Sequence, residues 1–168
     1  IESLELQRWE DIINQIMLSI EGSFSVILLT RNNMYCFKDL RGYRPLCIGD
    51  NGSGYCIASE TIGLGEYNYL KEVERGEILK IGQEGLEKIE IFVNLNKINE
   101  KKCLFEYIYF LNAKSSFLND EKQKISVRQY RYQFGIELGK QEKLNNLAEN
   151  AIVIGAPMTG IPSGIGFA

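Results

Sequence analysis

Two joined units of mixed structure, an α+β unit followed by the opening of an α/β unit, are what this sequence predicts, and three observations predict them. An apolar stripe at helical spacing opens the chain. Short β-rich runs separated by turn residues follow it. An apolar run, a glycine-containing turn and a small-residue helix start close it. Between the last two, the polar stretch Asn94 to Lys102, rich in Lys and Asn, reads as a linker, and the division falls there, into residues 1–98 and 99–168.

Trp9, Ile12, Ile13, Ile16, Met17 and Ile20 recur every three or four residues, which places them on one face of an amphipathic helix ending near Gly22. Phe24 to Thr30 and Met34 to Lys38 are β-rich runs around an Arg31-Asn32-Asn33 turn. Shorter runs, Leu46 to Ile48 and Tyr55 to Ala58, flank Asp50-Asn51-Gly52, and the whole reads as an antiparallel meander. A brief helix is expected after Ser59, then strands over Gly76 to Ile81 and Gly85 to Val93, giving a sheet covered by a helix. Past the linker come an apolar run, Cys103 to Leu111, a polar loop from Asn112 to Lys124 and a helix from about Ser126 to Gly139. Ala151 to Ile154 reads as a buried strand leading into Gly155-Ala156-Pro157-Met158-Thr159-Gly160 and a helix start. The chain opens on Ile1 rather than Met and stops at Ala168 inside that helix, so both ends are expected to be cut.

At 168 residues and 45% hydrophobic, the chain suits one ordinary domain or pieces of two. A net charge of −3 and a pI near 5.2 argue against a nucleic-acid backbone as main partner and for small molecules or proteins. Cys36, Cys47, Cys56 and Cys103 follow no metal spacing and read as free thiols of a reducing, cytoplasmic compartment. No apolar run approaches the ~20 residues that span a bilayer. With no histidine, the chain has no Ser-His or Cys-His nucleophile pair.

Three stretches carry candidate chemistry. The turn from Gly155 to Gly160, between an apolar run and a helix, has the form of a phosphate or pyrophosphate cradle and equally that of a plain tight turn. Asp39, Arg41 and Arg44 share a turn between strands that would suit either a bound carboxylate or a structural role. Glu106 lies among Phe105, Tyr107, Tyr109 and Phe110, where burial demands a partner or a raised pKa. Cys103 follows two lysines, a setting that favours thiolate character, although a structural thiol fits as well.

Read in order, Gly22 to Thr30, Gly42-Tyr43-Arg44-Pro45-Leu46, Ala58-Ser59-Glu60-Thr61, Val73 to Ile78 and Cys103-Leu104-Phe105-Glu106-Tyr107-Ile108-Tyr109-Phe110 form a series of blocks. Ser126-Val127, Arg131, Gly135 and Pro157-Met158-Thr159-Gly160 continue it. The series resembles the amidophosphoribosyltransferase family over nearly the whole chain. The resemblance implies the C-terminal part of a glutaminase domain of the N-terminal-nucleophile hydrolase fold, layered α-β-β-α, over residues 1–98. It implies the start of a type I phosphoribosyltransferase α/β domain over 99–168. In the family, an N-terminal cysteine releases ammonia from glutamine, and the ammonia travels inside the protein to phosphoribosyl pyrophosphate, opening de novo purine biosynthesis.

By the same resemblance the nucleophile lies upstream of Ile1, so no catalytic residue carries over. Thr159 and Gly160 match a pyrophosphate-binding loop; Tyr107 and Tyr109 fall near the domain junction and the ammonia path; Cys103 matches a ligand of a [4Fe-4S] cluster found in some members. Magnesium binds outside this stretch, purine nucleotides act as inhibitors, and the whole enzyme is a homo-oligomer. Departures are local. Leu111-Asn112-Ala113-Lys114-Ser115 replaces an alanine-arginine-proline-aspartate-serine run, Met158 replaces an acid, and Leu40 a proline. Two other readings stay open: another glutamine amidotransferase of the glucosamine-phosphate synthase type, and a non-catalytic remnant or regulatory protein.

Overall fold

The computed structural model describes residues 8–89, 95–119, 121–143 and 151–168. The chain divides into two compact units, Ile1–Ser59 with Gly63–Lys102, and Glu60–Ile62 with Cys103–Ala168. Three residues from the middle of the first stretch thus belong to the second unit.

The first unit is built in layers. Helix α1 (Trp9–Ser19) sets Ile13 and Met17 one turn apart, so both fall on the buried face. That face lies on a four-stranded antiparallel sheet of β1 (Ser25–Leu29), β2 (Met34–Lys38), β6 (Ile78–Gly82) and β7 (Gly85–Ile89), in the order β1-β2-β6-β7. Strand alternation gives β2 two jobs. Tyr35 and Phe37 pack with Ile13, Met17 and Ile78 on the helix side. Cys36 points the other way, into a second core with Leu46, Ile48, Val73 and Leu79.

That second core faces a three-stranded sheet, β3 (Cys47–Asp50), β4 (Tyr55–Ala58) and β5 (Asn68–Glu72), ordered β4-β3-β5. The single meander expected from the sequence is therefore two stacked sheets. The reason is β5: Asn68-Tyr69-Leu70-Lys71-Glu72 mixes polar and apolar residues without a clean period, yet it pairs with β3 through a register shift at Ile48/Gly49. The expected strand over residues 85–93 is seen as far as Ile89, and its remainder lies outside the described residues. The brief helix after Ser59 is a 3-10 turn, Thr61–Leu64.

Buried charge in this unit is paired. Glu10, 7% exposed, accepts the Tyr35 hydroxyl at 3.1 Å and pairs with Lys80 at 3.2 Å. Glu77 pairs with Lys71 at 2.6 Å, and Lys38 with Glu72 at 2.9 Å. Asp39 is a structural residue rather than a ligand holder. Its buried carboxylate accepts the amides of Phe24, Arg41, Gly42 and Tyr43, closing the turn that the sequence left open between two roles. Gly42 sits there at φ +73°, where a side chain would be strained and would press on Arg75 Cβ.

The second unit holds a one-turn π-helix (Glu106–Phe110), a hairpin of β8 (Ser116–Leu118) and β9 (Lys124–Ser126), and helices α2 (Val127–Lys143) and α3 (Ile161–Phe167). The hairpin overturns the expected polar loop over 112–124; Ser116-Phe117-Leu118 is too short a run to stand out among its polar neighbours. Ala151 to Ile154 is a second correction. It is not a buried strand: the segment pairs with no strand among the described residues, and Ile152 and Ile154 are 86% and 84% exposed. Its apolar composition is that of a strand with neighbours on both faces, and among the described residues no strand lies beside it.

Helices α2 and α3 meet backbone to backbone. A Cβ on Gly135 would overlap the Ser163 carbonyl, one on Gly166 the Tyr132 carbonyl, and one on Gly139 would come within 2.7 Å of Phe167 O. The Ser163 hydroxyl donates to Arg131 O at 2.9 Å across the same seam.

Candidate functional site

The candidate residues of the second unit fall into two places. The first is the turn before α3. Gly155 and Gly160 fold against one another so closely that a Cβ on Gly155 would lie 2.7 Å from Gly160 O, and Gly164 packs on Gly155. Pro162 starts the helix with its φ already helical. Thr159 and Gly160 are both half-buried in this turn. Gly160 N donates to Ala156 O at 2.9 Å, and a Cβ at Gly160 would approach that same oxygen to 2.9 Å. Gly160 therefore contributes room for close backbone approach rather than a waiting N–H. No helix-capping side chain fills the position before α3.

The second place is the aromatic turn at residues 104–110. Its five-residue hydrogen bond runs from Leu111 N to Glu106 O at 2.9 Å, and π-turns of this kind concentrate at functional positions. The two tyrosines part company there. Tyr107 packs with Phe117 and Tyr130, ring centroids 4.5 and 5.8 Å away, whereas Tyr109 is 59% exposed beside Phe110. Glu106 is buried.

Arg131, from the first turn and a half of α2, holds the turn's end. Its side chain is 1% exposed; Nε donates to Tyr107 O at 2.9 Å and Nη2 to Leu111 O at 2.8 Å. Burial lowers the Arg131 pKa, and the nearby Glu60 carboxylate acts in the opposite sense. Glu60 Oε2 accepts Asn112 N at 2.7 Å and the Ser115 hydroxyl at 2.9 Å. Thr61 continues the contact, accepting Ser116 N at 2.8 Å, and Ile62 N donates to the Ser115 hydroxyl at 3.3 Å. Sequence reasoning found Arg131 no partner and offered Glu60 as an acid for Arg44, whereas the Glu60 contacts above are with Asn112 and Ser115. Residues more than fifty positions apart, with no hydrophobic period linking them, carry no local signal of contact.

Cys103 opens the aromatic turn, half-buried and free. Among the described residues no group of three or more His, Cys, Asp or Glu side chains could hold a metal ion. One thiolate of the four that a [4Fe-4S] cluster needs is what these residues supply. Cys36, Cys47 and Cys56 lie in β2, β3 and β4 as free thiols, and burial pushes the Cys36 thiol up to about 12, out of reach of thiolate chemistry. Among the described residues no helix is long and apolar enough to cross a membrane.

A layered α+β unit, joined to a helical unit bearing an aromatic π-turn and a glycine-locked turn before a short helix, defines a two-part mixed α/β protein. Its relatives narrow that class. The amidophosphoribosyltransferase of Bacillus subtilis (strain 168) is 32% identical over 161 residues, which is 95% of this chain and 31% of that protein. That of Pyrococcus horikoshii is 30% identical over 165 residues, 98% of this chain and 34% of the relative. Among solved structures, the glutamine phosphoribosylpyrophosphate amidotransferase from B. subtilis complexed with ADP and GMP matches with a TM-score of 0.81 at 32% identity. The match covers 96% of this chain and 33% of that one. No family model matches the chain. The chain is thus similar over nearly its whole length to part of these amidophosphoribosyltransferases, and it spans about a third of the length of the curated relatives it matches.

Proposed function

We propose that this chain serves as the joining portion of an amidophosphoribosyltransferase, the enzyme that makes 5-phosphoribosylamine from glutamine and phosphoribosyl pyrophosphate. The observation that carries the reading is the likeness across both units at once, 32% identity with a TM-score of 0.81 over 96% of the chain. A relative of the first unit alone would not account for the π-turn and the turn before α3. In this reading residues 1–98 complete a glutaminase domain and residues 99–168 begin a phosphoribosyltransferase domain. Neither supplies the nucleophile or the magnesium site.

Thr159 and Gly160 then border the pyrophosphate of the ribosyl donor. Gly160 lets the turn fold tightly on Ala156, and the Thr159 hydroxyl is the side-chain donor. Tyr109 faces the ammonia path and Tyr107 supports it from the aromatic core. Binding of purine nucleotides as inhibitors is supported by the relative's complex with ADP and GMP.

The test is an assay of the complete natural protein for pyrophosphate release from phosphoribosyl pyrophosphate, with glutamine and with ammonia. Release with either nitrogen source is expected, and release with neither overturns the reading. Thr159→Val is expected to weaken pyrophosphate inhibition of that enzyme, and unchanged inhibition removes the turn from the site.

A further inference from the structure

The peptide bond between Leu111 and Asn112 is held at both ends by opposite charges. Its carbonyl, on Leu111, receives the buried Arg131 guanidinium at 2.8 Å, and its N–H, on Asn112, is taken by Glu60 Oε2 at 2.7 Å. A peptide dipole placed with its oxygen toward a cation and its hydrogen toward an anion is fixed in rotation as well as in position. This peptide directly follows the aromatic turn. Arg131 also holds Tyr107 O, so the orientation of the turn's last residues is set by the pair. Glu60 is itself anchored: its second contact is Ser115, 1% exposed, and its neighbour Thr61 bonds Ser116 in both directions along the chain. Glu60–Ile62 is flanked in sequence by Ser59 and Gly63, which belong to the other unit.

We propose that Glu60 and Thr61 are positioning residues that, opposite Arg131, set the aromatic turn at residues 104–110, so that losing them uncouples glutamine consumption from ribosyl transfer. This rests on the amidophosphoribosyltransferase reading. The reasoning is geometric. A turn that borders a path for a small neutral molecule must keep its side chains within a fraction of an ångström to exclude water, and a peptide clamped at both ends supplies that fixity. Glu60 and Thr61 bond Asn112, Ser115 and Ser116, so their replacement is expected to leave the chemistry of each half reaction unchanged.

The experiment uses the complete protein and reads glutamine hydrolysed per pyrophosphate released, beside the ammonia-dependent reaction. Glu60→Gln keeps the shape and removes the charge. It is expected to raise the ratio by about threefold or more while the ammonia-dependent rate stays within about twofold. Thr61→Val, the milder change, is expected to move the ratio the same way and less. Hydrogen exchange at the amides of residues 111–116 is expected to quicken on the order of tenfold in Glu60→Gln. A parent protein inactive with both nitrogen sources overturns the functional reading and this inference with it. An active parent whose variants keep the parental ratio, or the parental protection of residues 111–116, overturns this inference alone.

Discussion

The two units are held together by different physics. In the first, burial dominates: among the described residues most of the buried apolar side chains belong to it, against Leu111, Val127 and Pro162 in the second, and most of them fill two cores on either face of β2 and β6. The second has little such core. Its helices touch backbone to backbone at Gly135, Gly139 and Gly166, its aromatic rings form two small groups, Tyr107 with Phe117 and Tyr130 and Phe110 with Phe105 and Tyr109, and its largest fully buried side chain is a charged one, Arg131. Burial tolerates exchange among apolar residues of similar size, whereas a glycine seam and a buried guanidinium tolerate almost none. The first unit should therefore respond to mutation in proportion to volume removed, and the second in proportion to polar bonds broken and atoms added.

The largest effect is expected from Phe37→Ala, which empties the centre of the helix-facing core. It should cost about 3–5 kcal/mol and appear in the unfolding of the first unit, read by urea titration with hydrogen exchange assigning the loss. Equal loss of protection in α2 would mean that the two units unfold as one. Next comes Arg131→Met, close in volume but unable to bond. It leaves the carbonyls of Tyr107 and Leu111 and the Glu60 carboxylate without their cation, and about 3 kcal/mol should be lost from the second unit. A neutral outcome would show that packing rather than charge holds the turn. Gly135→Ala is smaller and sharper still as a test. In an ordinary helix it would stabilise by roughly 1 kcal/mol; against the Ser163 carbonyl it should instead cost about 1–3 kcal/mol, and the sign alone decides whether the seam is as close as described.

This contrast also governs what could be read in the sequence. Helix α1, the β1–β2 and β3–β4 hairpins and the β6–β7 pair were all legible, because burial on one face imprints a period of 3.6 or 2. β5 was not, because its face is shared between a core and a row of ion pairs such as Lys71–Glu77. In the second unit α2 was legible, while the β8–β9 hairpin and the lack of strand pairing at residues 151–154 among the described residues were not. Composition registers how apolar a run is and says nothing of whether a neighbouring strand covers it. The candidate site split the same way. Gly160 and the turn around it were visible as a local pattern. The clamp of Glu60 and Arg131 on the Leu111–Asn112 peptide was invisible, since it depends on residues brought together only by the fold.

The smallest expected effect concerns pH and again separates the units. Burial alone would raise the Glu10 pKa, but hydrogen bonds from its own backbone amide, Lys80 and Tyr35 outweigh it and leave the pKa below its ordinary value. A carboxylate depressed in the folded state stabilises fully above its unfolded pKa, and that contribution is lost as pH falls through the folded value. Tyr35 and Lys80 are both raised, Tyr35 chiefly by burial and then by Glu10, Lys80 chiefly by its hydrogen bond to Glu10. Their contributions are complete below their unfolded values and lost as pH rises through the folded ones. The first unit should thus lose stability at both extremes through one cluster, acid through Glu10 and alkali through its two partners. Glu10→Gln should flatten the acid limb between about pH 5 and pH 3, leaving a change of about 1 kcal/mol or less at neutrality. An acid limb unchanged by that substitution would place the acid sensitivity elsewhere, and the cluster beneath α1 would then be packing with charges attached rather than the unit's electrostatic anchor.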